Sequence, residues 1–171
     1  TAADAAGMFD ILTYEKGASV LRMFERWAGA DEFREGVRLY LARHAYANTD
    51  TPDLWESLAE ATGVDVGAMM NTWILQGGFP RLEVEPVPGG VRLTQGRFLL
   101  ANRPDDTRWR IPVQLRGEAG GTPFSRKLVL DAESTTLDLG SDVDWVVANA
   151  GGHGFYRVSY TPAINDRLFQ R

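Results

Sequence analysis

The sequence contains no cysteine among its 171 residues. This absence excludes disulfide bonds and thiolate metal sites, and it fits a protein of a reducing compartment. Long apolar runs are also missing, since no stretch approaches the roughly 18–20 apolar residues of a membrane helix. The first residues do not form the basic and apolar leader of a signal peptide. We therefore expect a cytoplasmic protein with no membrane partner.

Histidine is scarce too. Only His44 and His153 are present, whereas a catalytic zinc site needs about three protein ligands. We expect His44 to be partly buried on the inner side of a helix, and His153 to lie in a glycine-rich turn. The 18 basic residues are outnumbered by 23 acidic ones, which gives a net charge of −5. Nucleic-acid binding requires a basic surface, and this composition does not favour one. The chain alone is expected to bind no metal and no nucleic acid.

Regular hydrophobic patterns fill the first half of the chain. Apolar residues recur there at spacings of three and four, the period of an amphipathic helix, and they predict four helices joined by short loops. The second helix is expected to turn Phe33, Val37, Tyr40 and Leu41 inward. The first helix is predicted to start near Tyr14 and to end at Gly29. The second is expected to have its cap at Asp31, and the third to have its cap at Thr51 and to end at Gly63. The fourth is predicted to start near Asp65.

At residues 78–80 the period changes from 3.6 to 2. Seven short strand-like runs follow, separated by turns rich in glycine and proline, as in an antiparallel β-sandwich. The sequence therefore predicts an α+β multidomain chain, with an N-terminal helical bundle over residues 1–78 and a β-sandwich from residue 79.

Candidate catalytic residues are few when each is judged by its own surroundings. Ser19 lies inside a helix without the Gly-x-Ser-x-Gly context of a nucleophile, and the acidic side chains are spread over solvent faces. A tyrosine at a helix start, such as Tyr14, is usually structural. The five tryptophans are expected to be packing anchors: Trp27, Trp55, Trp73, Trp109 and Trp145.

Residues 9–23, FDILTYEKGASVLRM, resemble the stretch that carries the catalytic tyrosine in zinc aminopeptidases of the aminopeptidase N family, the gluzincin metallopeptidases. Other segments follow in the order of that family, so the likeness extends from about residue 9 to residue 160. They are residues 33–37, 40–41, 44–48, 51–55, 73–80, 93–98 and 149–158.

The resemblance implies that residues 1–78 are the last helices of a thermolysin-like catalytic domain and residues 79–160 a β-sandwich domain. Residues 161–171 would begin a C-terminal helical domain, with Thr161 as its cap and Pro162 at its first position. Tyr14 would donate a hydrogen bond to the oxyanion formed when a peptide bond is attacked, with Glu15 and Gly17 in support. The segment 95–98 would serve interdomain packing.

The chain lacks other parts of the family pattern, including the His-Glu-x-x-His helix that binds zinc and the segment that holds the substrate's amino group. The resemblance therefore implies a fragment of a zinc-dependent aminopeptidase that is inactive by itself. Its partners would be peptide substrates with a free N-terminus and the remaining domains of the same polypeptide. Two alternatives stay open: a non-catalytic relative that serves as an interaction scaffold, and an independent binding module in the β-sandwich.

Overall fold

The computed structural model describes residues 11–100 and 105–169, and in these ranges it shows helices followed by strands. This order confirms the predicted α+β class. The helices are α1 (Ile11–Ala28), α2 (Ala30–Arg43), α3 (Thr51–Thr62), α4 (Val66–Ile74) and α5 (Pro162–Phe169). The strands are β1 (Pro80–Val87), β2 (Gly90–Arg97), β3 (Ile111–Ala119), β4 (Thr122–Leu130), β5 (Ser134–Asp138), β6 (Val143–Ala148) and β7 (Arg157–Tyr160).

Two predicted helix caps were wrong by one or two residues. Gly29, not Asp31, precedes α2, because its backbone with φ 129° turns the chain sharply between α1 and α2. Asp31 lies in the first turn of α2 and pairs with Arg34 at 2.6 Å instead. Asp50 caps α3 in place of Thr51, and its backbone N–H donates to the Asp53 carboxylate at 2.8 Å. The predicted end of α3 at Gly63 is confirmed by its left-handed φ of 70°.

Close backbone approach joins α2 to α3. A methyl group placed on Gly36 would lie 2.8 Å from the Leu58 side chain and 2.9 Å from the Leu58 Cα, so only glycine fits at this crossing. Gly36 is the buried residue of α2, whereas Leu41 is 61% exposed. The prediction that Leu41 turns inward was therefore wrong, because α3 covers the face of α2 on which Gly36 lies.

The strands form a four-stranded sheet of order β5-β2-β1-β7 and a three-stranded sheet of order β4-β3-β6. Leu82 and Val84 of β1 are fully buried and alternate with exposed neighbours, as the period of two predicted. Neighbouring strands pair antiparallel except β1 and β7, which run parallel from the pair Arg81 and Arg157 onward. Trp55, Trp73 and Trp109 are buried as predicted, whereas Trp27 and Trp145 are half-buried.

Gln95 joins the two sheets through its buried side chain, which is 3% exposed. Its amide nitrogen donates to the carbonyls of Trp109 at 2.9 Å and Ala132 at 2.8 Å, and its amide oxygen accepts from the Trp109 N–H at 2.9 Å. The neighbouring Arg97 pairs with Asp105 at 3.1 Å. These contacts lie within the unit that contains the sheets, and the interdomain packing expected for this segment stays a prediction.

By their internal contacts, the described residues fall into two compact units. The first contains residues up to Val66 together with His153–Phe155, and the second contains Gly67–Gly152 and the residues from Tyr156 onward. The domain limits predicted after residues 78 and 160 concern a longer polypeptide and stay a prediction. No helix within the described ranges is both long and apolar enough to cross a membrane.

The tail forms a helix, α5, as predicted, with Pro162 at its first position. The backbone oxygen of Thr161 accepts the N–H groups of Ile164 and Asn165 at 3.0 and 3.1 Å, which is the expected role of a cap residue's carbonyl. The Thr161 hydroxyl is buried and makes no hydrogen bond within the described part of the chain. Ile164 is fully buried, so α5 packs through this side chain.

Candidate active-site tyrosine on the first helix

Tyr14 lies in α1, and its side chain is 60% exposed. The helix already includes Ile11, three residues and just under one turn before Tyr14. The extension also places Glu15 beyond the first turn, where its carboxylate would gain little from the helix dipole. The support predicted for Glu15 at a helix start was therefore wrong.

The other end of α1 is buried. Val20 and Met23 are each 3% exposed, and Phe24 is fully buried. The Phe24 ring meets the edge of the Phe33 ring of α2, with ring centres 6.2 Å apart. Aromatic pairs in this geometry add stability beyond the apolar area that they bury. The helix is thus held by its second half, while its first half presents Tyr14.

Small residues surround Tyr14 on its side of the helix. Residues at i+3 and i+4 are neighbours on a helix surface, and for Tyr14 these are Gly17 and Ala18. A methyl group placed on Gly17 would meet no atom of the described structure within 4 Å. The described structure thus leaves open space beside Gly17, and the close backbone packing expected for it stays a prediction for the longer protein. Burial lowers the pKa of the neighbouring Lys16 ammonium below its ordinary value.

The remaining tyrosines differ from Tyr14 in exposure or backbone. The Tyr40 hydroxyl is hydrogen-bonded to that of Thr49 at 2.6 Å. The Tyr160 hydroxyl accepts the Ala148 N–H at 3.0 Å, and Tyr156 is only 8% exposed. Burial raises the pKa of Tyr156, so its phenol stays protonated. Tyr46 is fully exposed but follows α2 with a left-handed φ of 60°. Tyr14 is therefore the exposed tyrosine that a regular helix positions.

The two histidines belong to the same compact unit, although the sequence predicted different domains. His44 is half-buried at the end of α2, as predicted, with its ring 5.5 Å from the Tyr40 ring. His153 is half-buried in the segment 153–155. Within residues 11–100 and 105–169, no three side chains of the metal-ligating types are close enough together to hold a metal ion.

The segment 153–155 has a role that the sequence analysis did not foresee. The Phe155 backbone N–H donates to the Met23 sulfur of α1 at 3.3 Å. Sequence patterns gave no signal for this contact, because a backbone donor carries no residue preference and a thioether is a weak acceptor.

Residues 1–73 match the model of the peptidase family M1 domain. Aminopeptidase 2 of Candida albicans is 38% identical over 161 residues, which cover 91% of this chain and 17% of that protein. Aminopeptidase M1 of Arabidopsis thaliana is 33% identical over 95% of this chain and 20% of its own length. A probable aminopeptidase 1 of Sulfurisphaera tokodaii is 39% identical, with shares of 91% and 19%. By these matches the chain is similar to proteins of peptidase family M1.

These matches confirm the resemblance that the motifs indicated. The matched region covers α1, which carries Tyr14, and continues through α2 and α3 into α4. The similar relatives extend the match into the strands, since they cover about nine-tenths of this chain. The chain spans about a fifth of the length of these M1 relatives.

Proposed function

We propose that this chain supplies an oxyanion-stabilising tyrosine, Tyr14, to a zinc-dependent aminopeptidase that hydrolyses N-terminal residues from peptides. The observation that carries the proposal is the exposed phenol of Tyr14 on a helix whose other half is buried. The similar proteins are named aminopeptidases, which supports the reaction class. The proposed partners are peptides with a free N-terminus and the remaining domains of the polypeptide, in the cytoplasm.

The chemistry of peptide hydrolysis suits a phenol at this position. Attack on the scissile carbonyl produces a tetrahedral intermediate whose oxygen carries negative charge. A phenol remains protonated at neutral pH and donates one hydrogen bond, so it can stabilise that oxygen. A donor fixed on a regular helix needs little reorganisation when the charge develops, and losing such a donor commonly lowers the rate by roughly 10²- to 10³-fold.

The described residues do not fit a zinc site, because they bring no set of three metal-ligating side chains together. We propose that the zinc ligands belong to other parts of the longer protein. The 171 residues are then inactive by themselves. Their proposed contribution is limited to holding and aiming the phenol of Tyr14.

The test is Tyr14→Phe in the full-length protein, assayed with an aminoacyl chromogenic substrate. The variant removes the hydroxyl and keeps the ring, so kcat should fall by roughly 10²- to 10³-fold while KM changes little. Tyr46→Phe is the matched control, since Tyr46 is another exposed tyrosine of the same compact unit. Its kcat should equal that of the wild type.

An unchanged kcat in Tyr14→Phe would refute the oxyanion role. A wild-type protein that binds no zinc and hydrolyses no aminoacyl substrate would instead favour the scaffold alternative. The two results are separate, because the first concerns one residue and the second concerns the whole protein.

A further inference from the structure

The helix α1 is fixed at one end and presents its proposed functional group at the other. Met23, in the buried half, is nine residues from Tyr14, which corresponds to about 13.5 Å along a helix. A tilt of about 5° at Met23 would therefore move Tyr14 by about 1.2 Å, and a displacement near 1 Å can cost roughly 10²-fold in rate. Contacts at Met23 thus control the aim of Tyr14.

The segment His153–Phe155 supplies one of these contacts. It belongs to the same compact unit as α1, whereas the residues immediately before and after it belong to the other unit. Its Phe155 N–H donates to the Met23 sulfur at 3.3 Å, and Met23 is almost completely buried. The bond joins the half-buried Phe155 backbone to a buried side chain of α1, so it fixes the segment and the helix to each other.

The residues before the segment are shaped to hold it in place. Asn149, Gly151 and Gly152 all have left-handed φ values, of 68°, 86° and 73°. The turn is closed by hydrogen bonds from Gly152 to Asn149 at 2.9 Å and from Ala150 to Gln114 at 3.0 Å. Glycine and, less readily, asparagine adopt these backbone angles, and the closed turn delivers Phe155 in one conformation.

We propose that Met23 and the segment His153–Phe155 are positioning elements for Tyr14. The bond between the Phe155 N–H and the Met23 sulfur sets the tilt of α1 and therefore the place of the phenol. This inference rests on the proposed oxyanion role of Tyr14. It assigns a part in the reaction to Phe155, which is 132 residues from Met23 in the sequence.

Met23→Leu in the full-length protein tests the proposal, because it removes the acceptor sulfur and nearly keeps the side-chain volume. We expect kcat to fall about 10- to 100-fold with KM within about twofold of the wild type, since a shift near 1 Å has effects of this size. Met70→Leu is the matched control: Met70 is 1% exposed in α4, outside the unit that contains Met23. It should leave kcat unchanged.

A second variant covers the case in which Met23→Leu does not fold. Gly152→Ala strains the turn at φ 73°, in a place where the added methyl meets no atom within 4 Å. Its control is Gly121→Ala, with φ 74° and the same open space at the tip of the β3–β4 hairpin. Only Gly152→Ala should lower kcat, because only that turn leads to Phe155.

The same substitutions in a Tyr14→Phe background separate positioning from general damage. If the segment acts through the phenol, Met23→Leu and Gly152→Ala should cause no further fall in kcat once the hydroxyl is gone.

An equal loss of kcat in both backgrounds would overturn the proposal, as would wild-type kcat in both single variants. Wild-type kcat in Tyr14→Phe would refute the proposed function, and the positioning role would fall with it. A normal Tyr14→Phe effect with inert Met23 and Gly152 variants would refute the positioning role alone.

Discussion

Replacing Gln95 by leucine should loosen the β-sandwich, because its side-chain amide joins the two sheets. The substitution removes the two shortest donated hydrogen bonds, to the carbonyls of Trp109 and Ala132, a longer one to the Leu130 carbonyl at 3.4 Å, and the bond accepted from the Trp109 N–H. A buried N–H without an acceptor costs about 1–3 kcal/mol. With the two carbonyls added, the expected loss is about 3 kcal/mol of a typical total of about 5–15 kcal/mol.

Hydrogen–deuterium exchange in the full-length protein measures this loss where it occurs. Amides of β3 exchange when the sandwich opens, and a loss of about 3 kcal/mol corresponds to roughly 10²-fold faster exchange, since every 1.4 kcal/mol is tenfold. The control is Thr94→Val, a substitution of similar shape at the neighbouring, half-buried position of β2. Exchange in β3 should then match the wild type.

Equal protection of β3 in Gln95→Leu and Thr94→Val would refute the role assigned to the amide. It would mean that side-chain packing holds the sheets together and that the hydrogen bonds of the Gln95 amide add no net stability. Faster exchange confined to α2 and α3 would contradict the reasoning as well, because those helices belong to the other compact unit.

Three further predictions follow from single contacts. Gly36→Ala should destabilise the α2–α3 pair by about 1–3 kcal/mol, since its methyl would lie 2.8 Å from Leu58. Gly17→Ala has open space and should stabilise α1 by up to about 1 kcal/mol. A thermal-unfolding experiment that ranks the two variants in the opposite order would contradict both predictions. Hydrogen bonds from Thr107 and then the Arg97 guanidinium lower the pKa of Asp105 below 3.8, so its stabilising effect is present above that pH and lost as the pH falls through the lowered value. Asp105→Asn should therefore be less stable than wild type at pH 7 and equally stable in acid, as measured by denaturant unfolding. His44→Ala and His153→Ala should leave the zinc content of the full-length protein unchanged by elemental analysis, and a loss of zinc in either variant would show that this chain does supply a ligand.

Local patterns predicted the secondary structure well because each element carries its own periodicity. Leu82 and Val84 show why: the alternation that makes one strand face apolar is the same alternation that buries it. The parallel pairing of β1 with β7 had no such signal. It joins Arg81 to Arg157, and nothing in either segment alone names the other. Pairing depends on the whole sheet, so a local pattern cannot predict it.

Helix ends were predicted less well because several residues near each end can serve as the cap. Asp31 and Thr51 both have side chains suited to capping, yet Gly29 and Asp50 take the position. At Gly29 the backbone decides, since the turn between α1 and α2 needs φ 129° and glycine alone adopts this angle freely. Side-chain preference is a weaker constraint than backbone geometry at such a corner.

The candidate tyrosine could be located from sequence, but its surroundings could not. The motif identified Tyr14, whereas the contact that fixes its helix joins a backbone N–H to a methionine sulfur. Met23 looks like any core residue of an amphipathic helix, and Phe155 looks like the entry to a strand. Only the folded chain shows that the two meet.

Gly17, in the first half of α1, lowers the stability of the helix, and no contact in the described structure compensates for this loss. Gly17 weakens a helix by about 1 kcal/mol relative to alanine, and no described atom lies close enough to require it. It stands one turn from Tyr14, on the same side as Ala18, while the buried side chains of the helix are Val20, Met23 and Phe24 in its second half. Local rules that fail without a packing reason are expected at functional sites. Gly17, one turn from Tyr14, is such a failure within the described part of the chain.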